Sequence, residues 1–377
     1  MRRNTFFLVL MLVSLSAISC NKQYMYPNYD GNEKKDTTKT EPEGPEGNVT
    51  KTNIRDLVLI YGGGADGPQV WAKDAFYPYV VYENNSAFDW MFDGFLFLEL
   101  KDGKGHAYTT GHSPEPALKP QWESLMDKYF SKDHSFDALD QCITDVIVKT
   151  GAPARKRKVI VGIPEPMKGA TQWGELNGKM LDFSKDEDRI TACNWFIDQV
   201  KEKFAAAGYA NIELEGFYWI AEEVENTAPI ISAIGSHLEK AKNSFLWIPW
   251  WKSPGYDNYK PYGFSDVYLQ PNYFFSNDVP YSRLQEACNE ASKYKINLEV
   301  EFDERVLGGK GQKLYDYLEV FEQNNVYENK KLAYYQSENT ILKLYQSSNA
   351  MDKALYQRFS EIVTKRQKVD KPAYIGN

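Results

Sequence analysis

Short apolar runs alternate along this chain with stretches of helical periodicity, and that alternation leaves few folds open. The strand-like runs are Leu57–Tyr61, Gly94–Leu100, Val159–Ile163, Ile212–Trp219, Phe245–Trp251, Val267–Asn272, Ile296–Phe302 and Leu332–Gln336. Among them, apolar residues recur with the helical period over 120–129, 135–149, 186–207, 225–242, 281–294, 310–325 and 350–366. Helix starts are signalled by Ser184, with acids in the turn that follows it, and by Asn226. Eight strands, each followed by a helix or a long loop, predict an α/β chain folded as a (β/α)8 TIM barrel. An open doubly wound sheet is the other arrangement with this alternation. It would need a Gly-rich phosphate fingerprint opening a helix, and Gly62-Gly63-Gly64 has neither the spacing nor the Lys of one, so it reads as a turn.

The amino terminus has a separate logic. Met1-Arg2-Arg3 precedes an apolar run from Phe6 to Leu15, then Ala17-Ile18-Ser19-Cys20. A basic start, a short apolar core and small residues before a cleavage point form a secretory signal, and the run is too short to span a bilayer. Its ending resembles the lipobox of bacterial lipoproteins, with Ala17 where Leu is usual, which makes Cys20 the expected lipidated residue. The alternative is an ordinary secreted protein in which Cys20 is incidental. Residues 21–52 are rich in Asn, Lys, Glu, Thr, Gly and Pro, a composition that cannot bury a core, and read as a tether. The expected organisation is a signal peptide over 1–19, lipidated Cys20 and linker over 20–52, and a barrel domain over 53–377. Such a protein is expected to be an outer-membrane lipoprotein, periplasmic or surface-exposed, and a monomer.

Charge and cysteine usage narrow the function classes. A net charge of −8 argues against a nucleic-acid partner, which needs a basic face. Beyond Cys20, the three cysteines Cys142, Cys193 and Cys288 are too widely spaced for a disulfide framework or a zinc pattern. The four histidines are scattered singly, so no metal and no cofactor is expected. Aromatic residues make up 15% of the chain, and flat rings suit the apolar faces of sugars as well as large cores.

In a barrel of this kind, function gathers at the carboxyl ends of the strands. Two carboxylate clusters lie there. Ile220-Ala221-Glu222-Glu223 follows Gly216-Phe217-Tyr218-Trp219, and Asn297-Leu298-Glu299-Val300-Glu301-Phe302-Asp303 alternates strictly. Alternation puts Asn297, Glu299, Glu301 and Asp303 on one face of their strand. Three acids on one face are costly unless the face lines a polar cavity. Paired carboxylates beside such a cavity are the equipment of glycoside hydrolysis, one as acid and one as base or nucleophile. Glu222 and Glu301 are the candidate catalytic pair. The other reading of Glu222 and Glu223 is that they begin a helix, where acids favour the dipole. The other reading of Glu301 is a structural ion-pair network, with Lys252 or Arg305 as partners. Candidate substrate-binding residues are Tyr218, Trp250, Trp251 and Tyr273 as stacking platforms, and Lys252, Gln270, Asn272, Glu99, Glu299 and Asp303 as polar contacts. Glu99 and Glu165 could instead hold a cation with Asp93, although Asp93 also suits a turn or cap.

These strand ends resemble a known family. Asp93-Gly94-Phe95, Gly216-Phe217-Tyr218-Trp219 with Glu222, Trp247-Ile248-Pro249-Trp250, Gln270-Pro271-Asn272-Tyr273 and Glu299-Val300-Glu301-Phe302-Asp303 are similar to the bacterial family called domain of unknown function 4855. The similarity runs from about Arg55 to the carboxyl end. It implies a glycosidase-type barrel, and the anchor with its acidic tether resembles surface lipoproteins of the Bacteroides group. The expectation is a glycoside hydrolase acting on a poly- or oligosaccharide. A glycan-binding surface lipoprotein without catalysis is the alternative, and a structural partner in a surface complex is a third.

Overall fold

Eight parallel strands close into a barrel in chain order: β1 (Asp56–Tyr61), β2 (Gly94–Leu98), β3 (Arg157–Ile163), β4 (Ile212–Trp219), β5 (Ser244–Trp247), β6 (Asp266–Leu269), β7 (Asn297–Glu301) and β8 (Leu332–Tyr335). Because β8 pairs back onto β1, with Leu57 opposite Ala333, the sheet has no open edge and the doubly wound alternative is excluded. This computed structural model describes residues 51–62 and 71–369. The chain divides into Met1–Pro42 and Glu43–Asn377, and the expected signal segment, Cys20 and the tether up to residue 50 lie outside the described residues.

The helices are α1 (Lys119–Tyr129), α2 (Ser135–Thr150), α3 (Asp186–Ala207), α4 (Ala228–Lys240), α5 (Ser282–Lys293), α6 (Gln312–Gln323), α7 (Thr340–Gln346) and α8 (Ala350–Gln367), beside shorter turns. Two connections depart from the expected pattern. The run Phe245–Trp251 stops being a strand at Trp247, because Pro249 has no N–H for the ladder, and Trp250 and Trp251 belong to the following loop. That loop carries a 3-10 turn at Lys260–Tyr262 in place of a long helix. Between β1 and β2 stands an antiparallel hairpin, Val81–Asn84 with Ala87–Trp90. Its two-residue turn places Asn85 and Ser86 at φ 49° and 70°, as the right-handed twist of a tight hairpin demands.

Which side chains line the barrel follows from register. Phe359 of α8 packs on Tyr334 and Phe302, so those rings face the outer helix layer. Tyr335 and Ala333 therefore face inward, and with them their register partners Glu301 and Glu299. By the same pairing Leu57, Leu59 and Tyr61 point inward from β1. Glycine is required where neighbouring strands crowd: a Cβ on Gly216 would lie 2.2 Å from the Ser244 carbonyl oxygen.

The amino-terminal end of the barrel is sealed by charge pairs and by the chain entering β1. The Thr52 N–H donates to Asp266 Oδ2 (2.9 Å), and Lys331 Nζ donates to Asp266 Oδ1 (2.6 Å) and the Thr52 carbonyl (2.7 Å). Asp93 accepts the N–H groups of Arg55 and Asp56, so it caps the start of β1. Burial and the neighbouring Asp56 raise its pKa. Its place before β2 also puts it at the end of the barrel opposite Glu165, which follows β3, so the two share no cation site.

Arg366 of α8 ties the last helix to this end. Only 3% exposed, it donates from Nε to Asp56 Oδ1 (2.6 Å) and from Nη2 to the carbonyls of Lys330 (3.0 Å) and Arg55 (3.2 Å). Asp56 also accepts from Tyr334 (2.7 Å) and Gln367 (2.8 Å). Removing one partner of a buried pair leaves the other charge uncompensated. Arg366→Ala is expected to lose about 3–5 kcal/mol of stability, read from the shift in urea midpoint at unchanged slope.

Candidate functional site

At the carboxyl end of β7, Glu301 is 1% exposed, and its carboxylate is met by donors from two elements. The Asn272 backbone N–H donates to Oε2 at 2.7 Å and the Asn272 side-chain amide to Oε1 at 3.2 Å. The Tyr317 hydroxyl of α6 donates to Oε2 at 2.6 Å. This arrangement suits the ionised form, since each group presents a hydrogen to a carboxylate oxygen. Burial and the Glu301 charge push the Tyr317 phenol well above its usual pKa, so it keeps the proton it donates.

Asn272 is the junction of three strand ends. Its backbone is left-handed (φ 51°), a conformation that Asn tolerates better than most residues. From there its amide nitrogen also donates to Gln270 Oε1 (3.1 Å), while its oxygen accepts the Trp251 N–H (2.7 Å). Gln270 in turn donates to the Ile248 carbonyl (3.0 Å). The loops after β5 and β6 are thus bolted to Glu301 through one side chain.

The remaining candidates divide between the mouth and the fold. Trp251 is half-buried, with the Arg283 guanidinium 4.4 Å from its ring centroid and Lys252 Nζ at 5.3 Å. Lys252 pairs with Glu290 of α5 (3.5 Å) rather than with the β7 acids. Burial lowers the Arg283 pKa, and that group also donates to the Pro271 carbonyl (3.2 Å). Tyr273 is buried, donates to Asp316 Oδ2 (2.6 Å) and lies under Lys313 (4.8 Å), so its ring serves the packing of the β6 loop on α6. Tyr218 is buried in the barrel, and Trp250 is half-buried with its N–H on the Glu222 carbonyl (3.4 Å). Glu299 is buried one inward position below Glu301. Asp303 lies past the strand, capping the turn Glu304–Val306 and gripping Arg305 at 2.8 Å, so the expected Arg305 partnership is with Asp303. Glu99 is buried near Tyr108 and Tyr129, whose phenols its charge helps to raise.

Across the mouth, at the ends of β3 and β4, several acids lie close enough to act on one another. Glu222 and Glu223 are both half-buried in the loop after β4, ahead of α4 and outside it. Glu223 accepts from Asn226 (3.2 Å), and burial, Glu225 and Glu165 raise its pKa. Glu165, after β3, is buried and accepts from Thr109 Oγ1 (2.9 Å), Thr110 N (2.7 Å) and Thr110 Oγ1 (2.9 Å). Neither threonine stood out in the sequence, because a loop hydroxyl gives no periodic signal. Glu338, after β8, is also raised, by burial and by Glu304. Among the described residues no group of His, Cys, Asp and Glu is arranged to hold a metal ion.

Residues 56–361 match the family described as "Domain of unknown function (DUF4855)". No curated protein matches the chain. Among solved structures, a candidate alpha-L-fucosidase from Bacteroides thetaiotaomicron is similar at 14% identity and a TM-score of 0.47, over 86% of this chain and 98% of that one. A GH18 chitinase from the chitin utilization locus of Flavobacterium johnsoniae is similar at 10% identity and 0.42, over 83% and 94%. A tryptophan synthase alpha-subunit from Pyrococcus furiosus follows at 10% identity and 0.38, over 82% and 97%. Likeness this remote, spread over different chemistries, assigns no reaction.

The Asn272 junction gives a direct test of the charge on Glu301. Asn272→Asp keeps the shape and the acceptor for Trp251 but faces Glu301 with a second carboxylate. Like charges raise each other's proton affinity, so the variant gains protons on folding and loses stability as pH rises. Thermal melts are expected to show a loss of about 1–3 kcal/mol at pH 7.5, shrinking toward pH 4.5.

Proposed function

The chain belongs to the DUF4855 family, and we propose that it is a glycoside hydrolase acting on a poly- or oligosaccharide at the mouth of its barrel. The observation that carries this reading is Glu301, an inward carboxylate at the end of β7 that accepts three hydrogen bonds. Glu222, after β4, is the proposed acid: it gives its proton to the glycosidic oxygen as the bond to the anomeric carbon breaks. Glu301 then attacks that carbon, or takes a proton from the water that does. A carboxyl separation of about 5–5.5 Å favours the first course and about 6.5–9.5 Å the second. Gln270 and Asn272 fix the position of Glu301, and Trp250 and Trp251 edge the same mouth. Lipidation at Cys20 would tether this barrel as a monomer to the outer membrane, on the periplasmic or the outer side.

One observation favours a second reading. Glu301 is 1% exposed and already bonded within the fold, as suits a carboxylate that organises a non-catalytic glycan-binding cleft. The two readings separate on hydrolysis of a broad glycan panel by the full chain, with Glu222→Gln and Glu301→Gln alongside. The hydrolase reading expects cleavage by the parent and a loss of about 10²–10⁴-fold in kcat/KM in each variant, with melting temperature checked in both. Glu223→Gln is expected to keep most of the activity. Binding without turnover, unchanged by either catalytic substitution, would establish the binding protein instead.

A further inference from the structure

The mouth has an aromatic wall beside Glu301, on the side away from the tryptophans. Tyr335 is the register partner of Glu301, so its ring is the inward neighbour of that carboxylate. Tyr61, inward at the end of β1, meets Tyr335 at 6.3 Å between centroids and 90° between planes. Phe275, from the loop after β6, meets Tyr335 from another side at 5.7 Å and 75°. Perpendicular contacts of this kind make a cornered wall rather than a stack. Tyr61 and Phe275 are half-buried and Tyr335, which both rings touch, is 6% exposed; Tyr273 and Tyr218 are enclosed, and Trp251 has Arg283 over its ring.

The loop that carries Phe275 is held in place by two cations. Lys313 Nζ donates to the carbonyls of Tyr273 (2.9 Å), Phe274 (3.2 Å) and Ser276 (2.6 Å), on both sides of Phe275. The Arg305 guanidinium lies 5.5 Å from the Phe275 ring centroid and donates to its carbonyl (3.3 Å). Ordering is thus completed before any ligand arrives, which spares the ligand that entropic cost. The charges around the wall also restrict what it can take. Arg305 is engaged by Asp303 and Lys343 by Glu304 (3.0 Å), so these two cations already serve the protein's own acids. An anionic sugar would meet Glu301, Glu304 and Glu338 with those cations already committed.

We propose that Tyr61 and Phe275, braced by the buried Tyr335, form the stacking subsite for the apolar face of a neutral pyranose ring next to Glu301. The inference rests on the carbohydrate reading above and adds the subsite and the charge class of the sugar. Lys313 and Arg305 act as positioning residues for Phe275.

The test compares binding and hydrolysis by the full chain on matched neutral and uronic-acid glycans. Phe275→Ala, Phe275→Leu and Tyr61→Ala are expected to raise Kd or KM by about threefold to tenfold with kcat little changed. Phe275→Trp is expected to retain parental affinity. Leucine keeps the apolar volume but not the flat face, so it separates lost stacking from lost folding, and a melt of each variant reports the fold. Parental affinity in the leucine and alanine variants, in a protein whose turnover still depends on Glu301, would overturn the subsite and leave the hydrolase reading standing. Preference for uronic-acid glycans would overturn the neutral class. A parent that neither binds nor cleaves any glycan of the panel would remove the carbohydrate reading and this inference with it.

Discussion

A carboxylate enclosed in a barrel must find its hydrogen-bond donors within the fold, and much of the mouth of this protein is arranged around that requirement. At 1% exposure Glu301 meets little bulk water, and Asn272 and Tyr317 donate to it from within the fold. Asn272 meets the demand only by adopting a left-handed backbone, and that conformation turns the loop after β6 back over the strand ends. The same side chain then sets Gln270 and the Trp251 N–H. One buried charge therefore fixes the relation of the loops after β5, β6 and β7.

The opposite end of the barrel solves a related problem by different means. Asp56 is enclosed there with Arg366, Tyr334 and Gln367, and Asp266 with Lys331 and Thr52. Cations bond directly to the acids at that end, whereas amides and a phenol donate to Glu301 at the mouth and the Arg283 guanidinium acts on it only through its charge. A full ion pair immobilises a carboxylate by neutralising it. Neutral donors hold it in position by hydrogen bonds. The contrast matches the division between a closed structural face and a working one.

The barrel was legible in the sequence because most strands carry a short apolar run, as Leu57–Tyr61 and Phe245–Trp247 do, and a barrel strand is buried on both sides. The strand-face argument was legible for the same reason: Leu298, Val300 and Phe302 pointing out leave Glu299 and Glu301 no direction but inward. Asp303 escaped it because the strand ends at Glu301, and beyond a strand the alternation no longer fixes direction. Trp251, Lys252 and Tyr273 were chosen for residue type at a strand end. Their partners Arg283, Glu290 and Asp316 come from helices 10 or more residues further along the chain, a distance over which no sequence pattern operates. Phe275 was passed over for the converse reason, since it sits in a loop without periodicity and gains its position from Lys313 and Arg305.

The two sides of the mouth treat protons differently, and this bears most on the chemistry. On the β5–β7 side, three donors converge on one carboxylate. On the β3–β4 side, Glu165, Glu223 and Glu225 crowd together, and Glu223 holds its proton more tightly as a result. A group placed between them would face the Glu301 carboxylate on one hand and Glu223, which holds its proton more tightly, on the other. Acid and base roles need such a difference in environment, because two identical carboxyl groups at neutral pH would both be ionised. The difference here comes from the supply of donors: amides reach Glu301 from a rigid junction, while the loop after β4 offers Glu223 only Asn226 and two more acids.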